Sequence, residues 1–220
     1  MLRLQLGGGA LPVRRVLAIG CHADDIEIGC GATLLSLVRS TPGLEVSWVV
    51  LSAAGEREQE ARAGAAAFGG EAVELVLQTF RDGFLPYVGD AVKDAFEDLK
   101  RLPDPDLVLT HARDDLHQDH RLVNDLTWNT FRNHLILEYE IPKYDGDLGR
   151  RNVYVPVSEE VAREKVELVA NSFPSQAAKD WFDEGVFLGL MRLRGMEARS
   201  PSGYAEAFTC RKLVLGAVEP

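Results

Sequence analysis

Between residues 13 and 134 the chain switches four times from a short apolar run to a segment with helical periodicity. The apolar runs are residues 13–19 (VRRVLAI), 45–52 (EVSWVVLS), 72–77 (AVELVL) and 106–110 (DLVLT). Each is too short for a helix of ordinary length and is rich in Val, Leu and Ile, as a strand buried on both faces should be. After the first run Ile28, Ala32, Leu35 and Val38 recur at helical spacing, up to the stop Thr41-Pro42-Gly43. The second run leads into the alanine-rich segment 56–68, closed by Gly69-Gly70. Val92, Phe96, Leu99 and Leu102 mark a third helix, ended by Pro103 and Pro105, and a fourth runs from about 119 to 134. Repeated strand–helix alternation of this kind gives right-handed βαβ units. It therefore predicts an α/β protein, with a mainly parallel sheet covered by helices on both faces.

Beyond residue 134 the pattern is less regular. Residues 135–144 read as a strand interrupted by Pro142, and residues 153–157 as another. A helix carries Ala162, Val166, Val169 and Phe173, with Ser158 as its N-cap. A further helix is predicted over 176–193 and a last strand over 208–215. No Pro/Ser-rich linker divides the 220 residues, so one domain spanning 1–220 is expected, with 1–12 as a loosely ordered N-terminal segment.

Composition narrows the partners. A net charge of −10 argues against nucleic acid, whose phosphates require a basic surface. No run of about 18 apolar residues is present, so no membrane span is expected. Residues 1–12 lack the apolar core of a secretory signal. The three cysteines, Cys21, Cys30 and Cys210, have no CxxC or zinc-finger spacing. They read as free thiols, which points to a cytoplasmic protein. A homo-oligomer is compatible with the sequence.

Two segments concentrate the chemistry: His22-Ala23-Asp24-Asp25-Ile26-Glu27 and Asp115-Leu116-His117-Gln118-Asp119-His120. They hold three of the five histidines, and each follows a predicted strand. In an open parallel sheet ligands bind beyond the carboxyl ends of the strands, so both segments belong on one rim. His22 and Asp25, three apart in a tight loop, can ligate one divalent metal through nitrogen and oxygen. Asp24 then faces elsewhere, where a carboxylate can take a proton from water. In the second segment His120 can complete a His-Asp-His set that leaves positions open for water and substrate. His117 then stands beside the metal, with Asp119 able to hold its ring and favour its protonated form. The competing reading is that Asp24 or Asp25 merely caps the helix that follows. His111 reads as structural or as support behind the site, and His134 as a surface residue. An N/O donor set suits zinc, and Fe2+ or another divalent metal also fits.

His22-Ala23-Asp24-Asp25 and His117-Gln118-Asp119-His120 resemble the His-x-Asp-Asp and His-x-Asp-His motifs of the LmbE-like (PIG-L type) zinc-dependent N-deacetylases. The family often has a Glu where Glu27 stands and a Pro where this chain has Ala23. Shorter similar stretches are Gly55-Glu56, Asp82-Gly83, Ser175-Gln176 and Ala205-Glu206-Ala207-Phe208. The resemblance implies a Rossmann-like three-layer fold and a Zn2+ held by His22, Asp25 and His120. It also implies Asp24 as general base, His117 as general acid or oxyanion stabiliser and Asp119 orienting it. The implied reaction is hydrolysis of the N-acetyl group of an N-acetylglucosamine-type amino sugar or its conjugate, a small-molecule substrate. Arg62, Asp82 and Arg113 follow the second, third and fourth predicted strands, and are expected as contacts to sugar hydroxyls or phosphate. The alternatives are a hydrolase of another small amide or ester, and a sugar-binding protein without catalysis.

Overall fold

The computed structural model describes residues 13–214. The N-terminal segment 1–12, predicted to be loosely ordered, lies outside the described residues. The predicted alternation is present: β1 (Arg15–His22), α1 (Asp25–Ser40), β2 (Glu45–Ser52), α2 (Glu56–Gly69), β3 (Val73–Leu77), α3 (Gly89–Leu99), β4 (Leu107–His111) and α4 (Gln118–Phe131). There follow β5 (Leu135–Tyr139), β6 (Val153–Val157), α5 (Glu159–Ser172), α6 (Glu184–Ala198) and β7 (Tyr204–Thr209).

The strands form one sheet in the order β3-β2-β1-β4-β5-β7-β6. The first five in this order are parallel, while β7 runs antiparallel between β5 and β6. Period-two alternation divides the strand residues between two apolar layers. Val16, Ala18, Val46, Trp48 and Leu107 pack with α1, α2, α5 and α6 on one face. Leu17, Ile19, Val49, Leu51 and Val108 pack with α3 and α4 on the other. Helices on both sides of a mainly parallel sheet make the three-layer α/β architecture expected from the sequence.

This order places the site. β1 and β4 are neighbours, and the chain turns to opposite sides of the sheet after them. Their carboxyl ends form the switch point at which such sheets open a crevice. The first motif leaves β1 and the second leaves β4, so residues nearly a hundred positions apart meet there.

Helix α1 departs from the predicted smooth periodicity. Cys30 has φ −145° and ψ 16°, which breaks the helix one turn after it starts. The break is held from the far end of the chain. Lys165 Nζ, on α5, donates to the Ile28 carbonyl at 2.6 Å. The Glu206 carboxylate, on β7, accepts from Ala32 N at 3.0 Å and Thr33 N at 2.7 Å. Lys165 and Glu206 also pair with each other at 2.6 Å, both buried. The carbonyl and amides released by the kink are thus satisfied rather than left orphaned. Gly29 is needed at the break, because a Cβ there would lie 2.2 Å from the Tyr139 ring.

Two late elements are shifted from the predicted ranges. The helix predicted over 176–193 is α6, which starts at Glu184 because Asp183 Oδ1 accepts from Gly185 N and Val186 N. It continues through Gly195, which is present because its Cα packs on the Gly203 backbone, where a Cβ would stand 2.1 Å from the Gly203 carbonyl. The last strand, predicted over 208–215, is Tyr204–Thr209 among the described residues, which end at 214, and the buried charge of Glu206 masks its strand pattern.

Candidate metal centre and catalytic pocket

Three side chains of the two motifs converge at the rim of β1 and β4. His22 closes β1, Asp25 opens α1, and His120 lies in the first turn of α4. His22 Nδ1 is 3.1 Å from His120 Nε2 and 3.3 Å from Asp25 Oδ2. Asp25 Oδ1 is 3.5 Å from His120 Nε2. Donors bound tetrahedrally at zinc distances lie about 3.3 Å apart, which is close to the spacing of the two imidazole nitrogens, with one or other Asp25 oxygen at a similar distance from each, and the donor types fit such an ion. Further contacts tie these groups down. Asp25 Oδ2 accepts from His22 N at 2.6 Å and stands 3.2 Å from His111 Nε2. Asp115 Oδ2 lies 3.0 Å from His120 Nδ1, which keeps a proton on that nitrogen and leaves Nε2 free. Burial pushes the His120 pKa down to about 4, with the neighbouring His111 in the same direction, so the ring is neutral and its lone pair available near pH 7. Burial works against a charge on Asp25, but the imidazoles of His120, His111 and His22 outweigh it and hold its carboxyl well below the usual range. His117 and His111 flank this centre and also come within ligand spacing of its members.

The other predicted residues divide into those the fold brings to this centre and those it does not. Asp24 is buried on the cavity wall and makes no helix-capping bond through its side chain. Its Oδ2 lies 3.0 Å from Arg57 Nη2. Burial raises its pKa, and the Arg57 guanidinium opposes that rise. His117, also on the wall, has its ring centroid 4.5 Å from that of His120 and 5.0 Å from that of His22. Its Nδ1 has no hydrogen-bond partner, and burial, followed by the charge of His22, lowers its pKa. Asp119 does not hold the His117 ring. Its carboxylate accepts from Gly83 N at 2.7 Å and Leu85 N at 3.3 Å, so it pins the segment after β3. Asp119 Oδ2 also stands 3.6 Å from His22 Nε2.

Of the three expected substrate contacts only Asp82 is on the cavity wall, with Oδ1 3.1 Å from His22 Nε2. Arg62 does not reach the site. It lies on the exposed side of α2, where one helical turn brings it to Glu58 at 2.7 Å. Arg113 is exposed and outside the cavity wall, in a turn whose backbone N–H is taken by Glu138.

Arg57 was missed in the sequence, although it directly follows the noted Gly55-Glu56 pair. It is braced by Glu60, whose carboxylate accepts from Arg57 Nη1 at 2.5 Å and from Ser175 N and Oγ, both at 2.8 Å. Ser175-Gln176, noted as a short similar stretch, is part of this brace. Asp115 was noted in its motif without a role, and Lys143 Nζ, 3.0 Å from its Oδ2, was not singled out. The cavity has a volume of about 810 Å³, and Phe80, Arg81, Tyr144, Lys179 and Trp181 also line it. Cys21 is not a nucleophile here, since burial pushes its thiol up to about 12.

The chain resembles the conserved protein TT1542 from Thermus thermophilus, with a TM-score of 0.75 and 22% identity over 93% of this chain and 97% of that one. It resembles N,N'-diacetylchitobiose deacetylase from Pyrococcus horikoshii, with a TM-score of 0.71 and 22% identity over 90% and 84%. It also resembles GalB, the 4-carboxy-2-hydroxymuconate hydratase of Pseudomonas putida, with a TM-score of 0.73 and 15% identity over 94% and 100%. These likenesses establish the fold. No curated protein sequence matches the chain. Residues 17–131, which carry both motifs and every proposed donor, match the family model PIG-L, GlcNAc-PI de-N-acetylase, and the chain belongs to that family.

Proposed function

We propose that this protein hydrolyses the N-acetyl amide of an amino sugar, of the N-acetylglucosamine type, free or conjugated, releasing acetate and a free amine. The observation that carries this reading is the position of Asp24. It is a buried carboxylate on the cavity wall, beside the His22/Asp25/His120 donors and spent neither on capping α1 nor among those donors. A pure binding site has no use for it. The family match and the deacetylase among the structural neighbours support the same reaction class. The hydratase neighbour has the same fold, so the fold alone does not select the reaction.

His22, Asp25 and His120 would hold Zn2+, and Fe2+ suits the same donors. When bound, such an ion supplies Lewis acidity and brings the pKa of water from 15.7 toward about 7. The chain's own residues do the rest. Asp24 takes a proton from the attacking water. Its carboxylate is aimed by Arg57, which Glu60 and Ser175 hold in turn. His117, on the same cavity wall, donates a proton to the departing nitrogen or a hydrogen bond to the carbonyl oxygen as it gains charge. Groups acting in this way are each worth about 10²–10⁴ in rate.

The test is acetate release from a panel of N-acetylglucosamine conjugates by wild type and by Asp24→Ala. Turnover by wild type, with loss in a variant that still holds its metal, is the expected result. Undiminished turnover by Asp24→Ala overturns the assignment.

A further inference from the structure

The imidazole of His22 has a second side. Its Nδ1 faces His120 and Asp25, but its Nε2 faces three other donors. Cys21 Sγ lies 3.6 Å from Nε2, Asp82 Oδ1 3.1 Å and Asp119 Oδ2 3.6 Å. The donor atoms of Cys21, His22 and Asp119 all lie within 4.8 Å of one another. Donors held tetrahedrally by a zinc-like ion, with one sulfur among them, stand about 3.3–3.6 Å apart, and the distances from Nε2 match that spacing. Cys21 and Asp119 are fully buried and close the rear of the cluster. Asp82 is exposed on the cavity wall, so an ion arriving through the cavity meets it first.

We propose that Cys21, His22 Nε2, Asp119 and Asp82 form a second metal site, behind the His22/Asp25/His120 donors, which takes a thiophilic divalent cation such as Cd2+ or excess Zn2+. The front set is nitrogen and oxygen only, whereas the sulfur biases this one toward soft ions. The bare thiol keeps its proton, and a coordinating ion releases that proton to water. The two sites compete for one ring, because a neutral imidazole has a lone pair on only one of its nitrogens. With the front donors engaged, Nε2 carries the ring proton and donates it to Asp82. An ion on Nε2 leaves the ring proton on Nδ1, where Asp25 Oδ2 at 3.3 Å accepts it, and His22 drops out of the front set. The rear site is therefore inhibitory, since filling it leaves Asp25 and His120 to hold the front ion alone.

The experiment titrates Cd2+ into the full zinc-loaded chain, with Cys210→Ser as background to remove the one thiol that is not buried. An ultraviolet thiolate-to-cadmium charge-transfer band should grow and saturate, and zinc should pass to a chromogenic chelator in step with it. Adding Cys21→Ser, or its apolar counterpart Cys21→Ala, should abolish the band and keep zinc bound at the same Cd2+, and the retained zinc shows that these chains are folded. Cys30→Ser should keep the band. Absence of the band from the background chain overturns the proposal, and so does a band that survives both Cys21 replacements. Equal zinc loss with and without Cys21 refutes the competition for His22. Turnover enters none of these readouts, so they stand or fall separately from the deacetylase reading.

Discussion

Arg57 Nη2 lies 3.0 Å from Asp24 Oδ2, while Nη1 of the same guanidinium reaches Glu60 Oε2 at 2.5 Å. The arginine is thus a rigid strut between the proposed base and the start of α2, and it also offsets part of the cost of burying the Asp24 charge.

Replacing Arg57 by Ala should lower kcat/KM by about 10²-fold, the size of effect that a misplaced catalytic group produces. It should also move the pH profile. Asp24 must be ionised to accept a proton, so activity falls as pH drops through its pKa. Burial already raises that pKa against the pull of Arg57. Without the guanidinium it rises further, and the acid limb of the kcat/KM profile shifts to higher pH. Arg62→Ala, which removes only an exposed pair with Glu58, should leave the profile in place. An unmoved acid limb in Arg57→Ala would separate the strut from the base.

Removal of the metal should stop turnover, and added Zn2+ should restore it. An ion that binds only the native state stabilises it by about 4 kcal/mol at a thousand times its Kd, so a chelator should also lower Tm. His120→Ala should lose the bound metal on elemental analysis, and a full complement in that variant would remove His120 from the donor set.

Asp82 was expected to contact substrate, but its closest partner is the ring nitrogen of His22 that faces away from the donor centre. A carboxylate on the far nitrogen of a ligating histidine fixes its tautomer, and its loss typically costs about 10–100-fold in metal affinity. Asp82→Asn should therefore weaken metal binding in a competition titration and leave KM nearly unchanged at saturating metal. A raised KM with unaltered metal affinity would restore the substrate role.

Breaking the Lys165–Glu206 pair from one side should be costly, because it strands a buried charge and orphans backbone groups of α1. Lys165→Met or Glu206→Gln is expected to lose about 3–5 kcal/mol in denaturant unfolding. A loss near zero would show that the α1 break does not depend on the pair.

The sequence revealed the first strands and helices, and the meeting of the two His/Asp segments, because these obey local rules: period-two burial, helical spacing, and loops at the carboxyl ends of parallel strands. It concealed what depends on distant partners. Arg57 reads as one more charge in a helix rich in Glu and Arg, and only its ion pair with Asp24 sets it apart from Arg62. Asp119 was assigned to His117 from nearness in sequence, yet its carboxylate turns to the amides of Gly83 and Leu85, more than thirty residues away. The kink at Cys30 has no Pro to announce it, since its supports come from α5 and β7.

That kink bears on the order in which the protein becomes competent. Synthesis delivers His22, Asp25, His117 and His120 within the first 120 residues, while Lys165 and Glu206 emerge much later. A nascent chain therefore carries all four before the wedge that sets the direction of α1 exists. β7 lies between β5 and β6, so the Glu206 carboxylate that accepts from Ala32 N and Thr33 N is in place only once the last strand has joined the sheet.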